Sequence, residues 1–535
     1  MNKSKTPKKI LAFVLCVMMF ISVIPTTVLG ATETNGKFPN SQLSLVQDKQ
    51  STLASGVTQN IYTVYDKNDK QVKMFAATID MSVDTVKLFT SYQNMDNTTY
   101  GMSKLTEQVA AFDKKAAAGD PYYQGTVVAG INASYYNMTT GKPSGVFVMN
   151  GNDVTGNERS AYFAVMKDGS VKIGKASEYD ADKGNIQEAI GIYTMLVYDG
   201  EIMLNQSQQN DSKKYPRQTI GITADNKVVI LSADGNNEPE SIGLTLMEQA
   251  QVMLDLGCVW AGHLDGGGSM TYGSKPEGED QFRIVNKPSD GSERSISSGF
   301  IIVSTETASK EFDHVSYELE TEYVTPGTPV DFTVSGVSST GNAAELPDSI
   351  VYSAKYGKIE NGVYIAPDSA CTDTITAYND GVDVGSVDIN VVIPDKLVFA
   401  SSGMTVPYGK TVTIGLTATY GLNEVKFKAD DIEFALENAD IGTIDGLEFT
   451  ASDGSVATES KITATIKGTD ITAASAIKLG KGSDVIFDFE NGDTSDFDLG
   501  YVAYNYVLPE GKVYSVNRNT GKVHSGNGAM ALDIN

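Results

Sequence analysis

Histidine and cysteine are nearly missing from this chain, and each scarcity removes a class of chemistry. Among 535 residues there are three histidines, three cysteines and one tryptophan. Cys16 lies in an apolar N-terminal run behind the bulky Leu15, which disfavours lipid attachment. That leaves Cys258 and Cys371, in segments that read as different domains: too few for a zinc–thiolate centre or a disulfide framework. His263, His314 and His524 stand far apart, so a three-histidine metal site would need three separate regions, and no metal or cofactor is expected. Basic charge is short as well. The 41 Lys and Arg face 67 Asp and Glu, a formal charge of −26, which argues against nucleic acid as a partner because phosphate contacts need clustered cations. Long apolar runs are limited to 10–24, less than the roughly 20 residues of a membrane span. Lys3, Lys5, Lys8 and Lys9 precede it, Pro25 breaks it, and Gly30 and Ala31 follow. This is the order of a secretory signal peptide over 1–31. The expectation is a secreted or cell-surface protein with no membrane span after cleavage.

What remains is rich in short β signals. The length predicts roughly three or four domains of about 150 residues each. Between Tyr62 and about Val303, strand-like runs flank Asn150-Gly151, Asp168-Gly169 and Asp199-Gly200, pairs suited to two-residue hairpin turns. Helical spacing is clear only over 245–256, with Gly257 placed to end it, and over about 103–118. Strands outnumber helices without alternating with them, which predicts an α+β catalytic domain with a mixed or antiparallel sheet over 32–305. After Val303 the chain is Thr-, Val-, Ser-, Asp- and Gly-rich, with turn signals about every ten residues. "GKIENGVYIAP" at 357–367 is echoed by "GTIDGLEFTAS" at 442–452, so two all-β immunoglobulin-like sandwiches are expected at 306–393 and 394–478. "SDVIFDFENGD" predicts the start of a carbohydrate-binding-like β-sandwich over 479–535.

Polar residues gather at the predicted strand ends. Arg217 opens "RQTIGIT", Asp234 ends "KVVILSAD", Asp265 follows "CVWAGHL", and Asn132 ends "GTVVAGIN". Asn286 and Arg294 sit beside two further strands. Such residues, followed by flexible turns, can converge on one pocket. Gly266, Gly267 and Gly268 could offer backbone N–H groups to an anionic oxygen, and Ser269 reads as a hydrogen-bonding pocket residue. Known phosphate loops do not fit. "GSMTYGSK" has its Ser and Lys in the wrong order for a P-loop, and Thr271 replaces the closing glycine of both a dinucleotide loop and a nucleophile elbow.

The segments "INASYYNMTTGKPSGVFVMNG", "YPRQTIGIT", "SADG", "GLTLMEQAQVMLDLGCVWAGHLDGGGSMT" and "IVNKPSDGSERSISSGFIIV" together resemble the phosphodiester glycosidase family, over about 60–304 and in the family's order. The resemblance implies hydrolysis of a sugar C1–O bond to phosphate, of the N-acetylglucosamine-1-phosphate type, and a pocket containing Asn132, Tyr135, Tyr136, Arg217, Asp234, Asp265–Ser269 and Arg294. Asn236 stands where the family usually has arginine, Ala133 where glycine is usual, and His263 where asparagine is common. The chemistry fits the residue types. A phosphomonoester departs without full protonation, its second pKa being about 6, so the demand is a carboxylate at C1 and guanidinium groups on the leaving phosphate. Asp265 is expected as nucleophile or general base, with Asp234 assisting, on a glycosyl-phosphate or related glycosidic bond in a cell-wall or extracellular glycan. The alternative is a non-catalytic glycan-binding or wall-adhesion module on the same fold.

Overall fold

The computed structural model describes residues 38–480 except 97, 157, 159, 455 and 456, together with two short strands, Ser515–Asn517 and Ala529–Ala531. The signal-peptide expectation and nearly all of the 479–535 expectation lie outside these residues. Contacts divide the chain into two compact units, one containing the residues up to Lys396 together with Ala418–Lys428 and one containing the remainder.

The first unit opens on an eight-stranded sheet. Its order is Ser44–Ala54, Val57–Tyr65, Gln71–Ile79, Val228–Ala233, Arg217–Thr223, Cys258–His263, Thr194–Tyr198, Glu201–Ile202, and its pairings are antiparallel. A five-stranded sheet runs Arg283–Ile284, Tyr272–Ser274, Thr126–Asn132, Ser298–Ser304, Val86–Tyr92, and another carries Ile186–Ile192 at its centre. These pairings too are antiparallel, so the architecture is antiparallel α+β.

The central strands of the large sheet are buried on both faces, which is why they read as continuous apolar runs. Phe75, Ile220 and Ile230 face a core shared with Val128, Phe163, Ile190 and Phe300 of the other sheets. Met74, Val229 and Leu231 face the opposite way, against Ala250 and Met253 of the helix Leu246–Asp255. That helix starts where Thr245 accepts the Glu248 N–H and Glu248 returns a bond to the Thr245 N–H, a capping box. It ends at Gly257, whose φ of +82° suits the left-handed stop. The second predicted helix is present as Leu105–Ala117.

Lys275, at the end of the Tyr272–Ser274 strand, is 2% exposed. Its ammonium donates to Gly341 O at 3.1 Å, to Asn342 Oδ1 at 2.9 Å and to Glu279 O at 3.4 Å. It joins the α+β region to the sandwich that follows, where the sheet Phe312–Leu319, Pro329–Ser338, Val363–Ile365, Lys358–Glu360 packs against Tyr323–Val324, Val382–Val391, Cys371–Asn379, Ile350–Ala354. Both halves of the sequence echo form hairpins, Lys358–Glu360 with Val363–Ile365 and Gly442–Asp445 with Glu448–Ala451. In each, a glycine faces a cross-strand carbonyl and a buried ring. A Cβ at Gly357 would lie 2.5 Å from Ile365 O beside Tyr364, and one at Gly442 would lie 2.2 Å from Thr450 O beside Phe449. Cys258 and Cys371 are free thiols. No helix among the described residues is long and apolar enough to cross a membrane.

Asp373 organises the first sandwich from inside. Its carboxylate accepts from the N–H of Tyr356 and Gly357 and from the Tyr364 hydroxyl. Burial pushes its pKa up, but these donors outweigh that and hold it below the usual carboxylate range. Replacing Asp373 with Ala strands four donors, these three and the Thr374 N–H, so urea titration of the full chain should show roughly 3 kcal/mol less stability at neutral pH. Because the folded pKa is depressed, the difference should shrink as pH falls through it.

Candidate active site

The loop after Cys258–His263 is held by one side chain. Asn132 ends the Thr126–Asn132 strand and is 1% exposed. Its Nδ2 donates to Asp265 O at 2.7 Å, and its Oδ1 accepts the Thr271 N–H at 3.0 Å. Asp265 N–H donates to Ala133 O at 3.0 Å. Two of the three glycines between, Gly266 and Gly268, serve close packing. A Cβ on Gly266 would stand 2.6 Å from Pro216 O, and one on Gly268 would stand 2.0 Å from Arg294 Nη2. Gly267 has a φ of +60°. The Gly267 N–H donates to Pro216 O, and the Ser269 N–H donates to Gly266 O.

Burial pushes the Asp265 carboxyl up to about 6, against the Ser269 hydroxyl, the Arg294 charge and the Gly266 N–H, which pull it down. Arg294 donates from Nη1 to Ser269 Oγ at 3.4 Å and is paired with Asp290 through Nε at 2.8 Å and Nη2 at 2.7 Å. Arg217 differs. It opens the Arg217–Thr223 strand and is 9% exposed. Its Nε donates to Leu244 O at 3.0 Å and its Nη2 to Lys213 O at 3.5 Å, and the Tyr215 ring lies 5.5 Å away. Among the described residues it forms no ion pair. Burial lowers its pKa, and the groups that favour its charge begin with Tyr135.

Tyr135 responds to both the Asp265 and the Arg217 charge. Burial pushes its hydroxyl up to about 12, with the Asp265 charge raising it further and Arg217 lowering it. The hydroxyl is 3.2 Å from His263 Nε2, and His263 Nδ1 is 3.1 Å from Gln249 Nε2. Burial, then the Arg217 charge, push His263 down to about 3, so the imidazole is neutral. Tyr136 turns elsewhere and donates to Ser295 O at 3.2 Å.

Asp234, expected to assist Asp265, faces a separate cavity of about 270 Å³ lined by Lys73, Asn237, Ser241, Asn286 and Lys287 among others. Asp265, Arg217 and Arg294 do not line it. The two oxygens of Asp234 accept from Asn286 Nδ2 at 2.9 Å and Lys287 N–H at 3.0 Å, and burial pushes the carboxyl up to about 6. Asn286 Oδ1 in turn accepts the Tyr272 N–H at 2.8 Å. Asn236 has a φ of +56°, a conformation asparagine tolerates better than most residues. Asp265, Asn132, Gly266–Gly268, Ser269 and Arg294 therefore form one contiguous set, reached by Tyr135 and Arg217. Asp234 and Asn286 form a second set at the loop's exit. Sequence reasoning missed Gln249, Tyr215 and Asp290. Gln249 had a signal, as a polar residue on the apolar face of an amphipathic helix.

Residues 125–303 match the family model described as phosphodiester glycosidase. N-acetylglucosamine-1-phosphodiester alpha-N-acetylglucosaminidase of Bos taurus is 29% identical over 160 residues, covering 26% of this chain and 30% of that protein. The SPbeta prophage-derived uncharacterized protein YomE of Bacillus subtilis is 28% identical over 280 residues, covering 51% of this chain and 39% of that protein. The match thus spans about a third of the length of these curated relatives. The solved catalytic domain of zebrafish N-acetylglucosamine-1-phosphodiester alpha-N-acetylglucosaminidase, auto-inhibited by its pro-peptide, aligns with 48% of this chain and 88% of its own at 18% identity and a TM-score of 0.37.

The glycines make separable predictions. Gly266→Ala must push the Pro216 carbonyl away and should cost about 1–3 kcal/mol in urea unfolding. Gly267→Ala meets open space and only the positive φ, so it should cost about 1 kcal/mol. Equal losses would remove the packing explanation.

Proposed function

We propose that the region carrying this site hydrolyses the bond between an anomeric carbon and a phosphate in a glycosyl phosphodiester, releasing a free sugar and leaving a phosphomonoester. The observation that carries this reading is a buried guanidinium, Arg217, that forms no ion pair among the described residues and whose charge, with that of the buried Asp265 carboxylate, acts on one tyrosine hydroxyl. An unpaired buried cation is costly unless an anion completes it, and the leaving phosphate supplies that anion through bidentate bonds. Asp265 serves the anomeric carbon as nucleophile or as the base for water. Ser269 and Arg294 fix its orientation. Neutral His263 holds the Tyr135 hydroxyl without adding a charge that would repel the arginines. Asp234 acts through Asn286 on the Tyr272 backbone, so it is a positioning residue. The match to the phosphodiester glycosidase model supports the reaction class.

The same reading places the protein outside the cytoplasm, on a cell-wall or extracellular glycan. The signal-peptide pattern and the β-sandwich modules support that location. Asn236, where the resemblance leads one to expect arginine, favours a second reading: a glycan-binding module that keeps the cleft without turnover.

Assay of the full chain on a GlcNAc-1-phosphodiester and on nitrophenyl N-acetylglucosaminide separates the two readings, since binding without hydrolysis of any substrate would favour adhesion. For hydrolysis, Asp265→Asn should lose about 1,000-fold in kcat/KM. Arg217→Met should lose about 100-fold on the phosphodiester and far less on the phosphate-free glycoside. The reaction needs Asp265 ionised, so kcat/KM should fall as pH drops through about 6. An acid limb that persists unchanged in Asp265→Asn would assign it to another group.

A further inference from the structure

Tyr193 lies in the single-residue gap between Ile186–Ile192 and Thr194–Tyr198, where the chain passes from one sheet to another. Its side chain is among the most exposed large apolar groups of the protein, at 70%. The backbone beneath it is fixed: Tyr193 N–H donates to His263 O at 3.0 Å, and Thr194 pairs with His263 in the sheet. The ring is fixed as well. It packs on Tyr135 with centroids 4.3 Å apart and planes tilted by 32°. Tyr135 is the residue whose hydroxyl meets His263 and whose pKa feels Asp265 and Arg217.

An exposed aromatic ring costs free energy in water, and most surface tyrosines are free to rotate. This one is held by an inner ring, keeps its outer face to solvent, and stands immediately before a strand that pairs with the one delivering Asp265. We propose that Tyr193 is a stacking platform for a pyranose ring of the substrate. The C–H groups on one face of a pyranose are apolar and slightly positive, and they complement the negative face of an aromatic ring. The ring's rigid mounting means that little side-chain entropy is lost on stacking. A single ring beside charged groups suits a sugar better than a protein partner, which needs a broad buried patch. The proposal rests on the glycosidase reading for which bond is cut, but not for whether sugar binds.

The test uses the full chain and three variants, Tyr193→Ala, Tyr193→Leu and Tyr193→Trp. The substrates are the GlcNAc-1-phosphodiester of methanol and the GlcNAc-1-phosphodiester of a methyl hexoside. Ala and Leu should each raise KM about tenfold with kcat changed less than twofold, and Trp should restore KM. An effect on both substrates places the stacked ring on the GlcNAc. An effect confined to the hexoside ester places it on the leaving group. Either result sustains the platform. Restoration by Leu as complete as by Trp would reduce Tyr193 to an apolar cover over Tyr135 and overturn the proposal, as would an unchanged KM in Ala. If the wild-type chain hydrolyses neither ester, the functional reading fails, and calorimetric titration of methyl N-acetylglucosaminide and GlcNAc-1-phosphate into the same proteins still decides the platform. Weaker binding in Ala and Leu than in wild type and Trp supports it, and equal binding sinks it.

Discussion

The carboxamide of Asn132 closes the loop 265–271, donating to the carbonyl at one end and accepting an N–H at the other. The two ends belong to different sheets, since Cys258–His263 lies in the eight-stranded sheet and Tyr272–Ser274 in the five-stranded one. The Asn132 side chain, with the backbone bonds from Asp265 N–H to Ala133 O and from Asn132 N–H to Thr271 O, therefore sets the mouth of the loop and the spacing of the sheets there. Within that frame the loop must be thin enough to admit Pro216 on one side and the Arg294 guanidinium on the other, and Gly266 and Gly268 supply the room. The carboxylate that starts the loop is thus presented by packing rather than by flexibility.

Charge in this region follows from burial more than from pairing. Asp265 and Asp234 are both pushed up by desolvation, and His263 is pushed down by it. The two carboxyls reach the same value in different company. Asp265 is answered by a serine hydroxyl and a guanidinium, whereas Asp234 is answered by an amide and a backbone N–H. Asp290, four residues before Arg294, pairs with it, whereas among the described residues no carboxylate lies within ion-pair distance of Arg217, and Asp211 and Glu248 act on it only from further away.

Much of the fold was legible because its signals are local. Thr245 and Gly257 bracket the helix Leu246–Asp255, and Asn150-Gly151 and Asp199-Gly200 adopt the positive φ values that their composition suggests. The echo at 357–367 and 442–452 corresponds to two hairpins with the same glycine-on-ring packing. The site was legible only as a list of strand ends. Asn132 and Asp265 are 133 residues apart, and Tyr193 and Tyr135, which meet, are 58 apart. No spacing rule ties such pairs together. Nor could composition say that Asp234 opens onto its own cavity, because an Asp-Gly pair after a strand looks the same whichever way the carboxylate turns. The difference between Arg217 and Arg294 was equally hidden, since it depends on which arginine finds an acid within one helical-turn distance.

Lys275 carries a mechanical consequence. Its ammonium is sunk among acceptors contributed by the sandwich, at Gly341 and Asn342, while its backbone N–H is bound to Val128 of the strand that ends in Asn132. Tension drawn along the chain from the sandwich side would be shared between the covalent connector and this internal rivet. Through four residues of backbone it would arrive at Thr271, and through Val128 at Asn132. A protein stretched from its C-terminal side would then feel the load at the clamp of the loop itself, so tethering and the shape of the cleft are not independent properties of this chain.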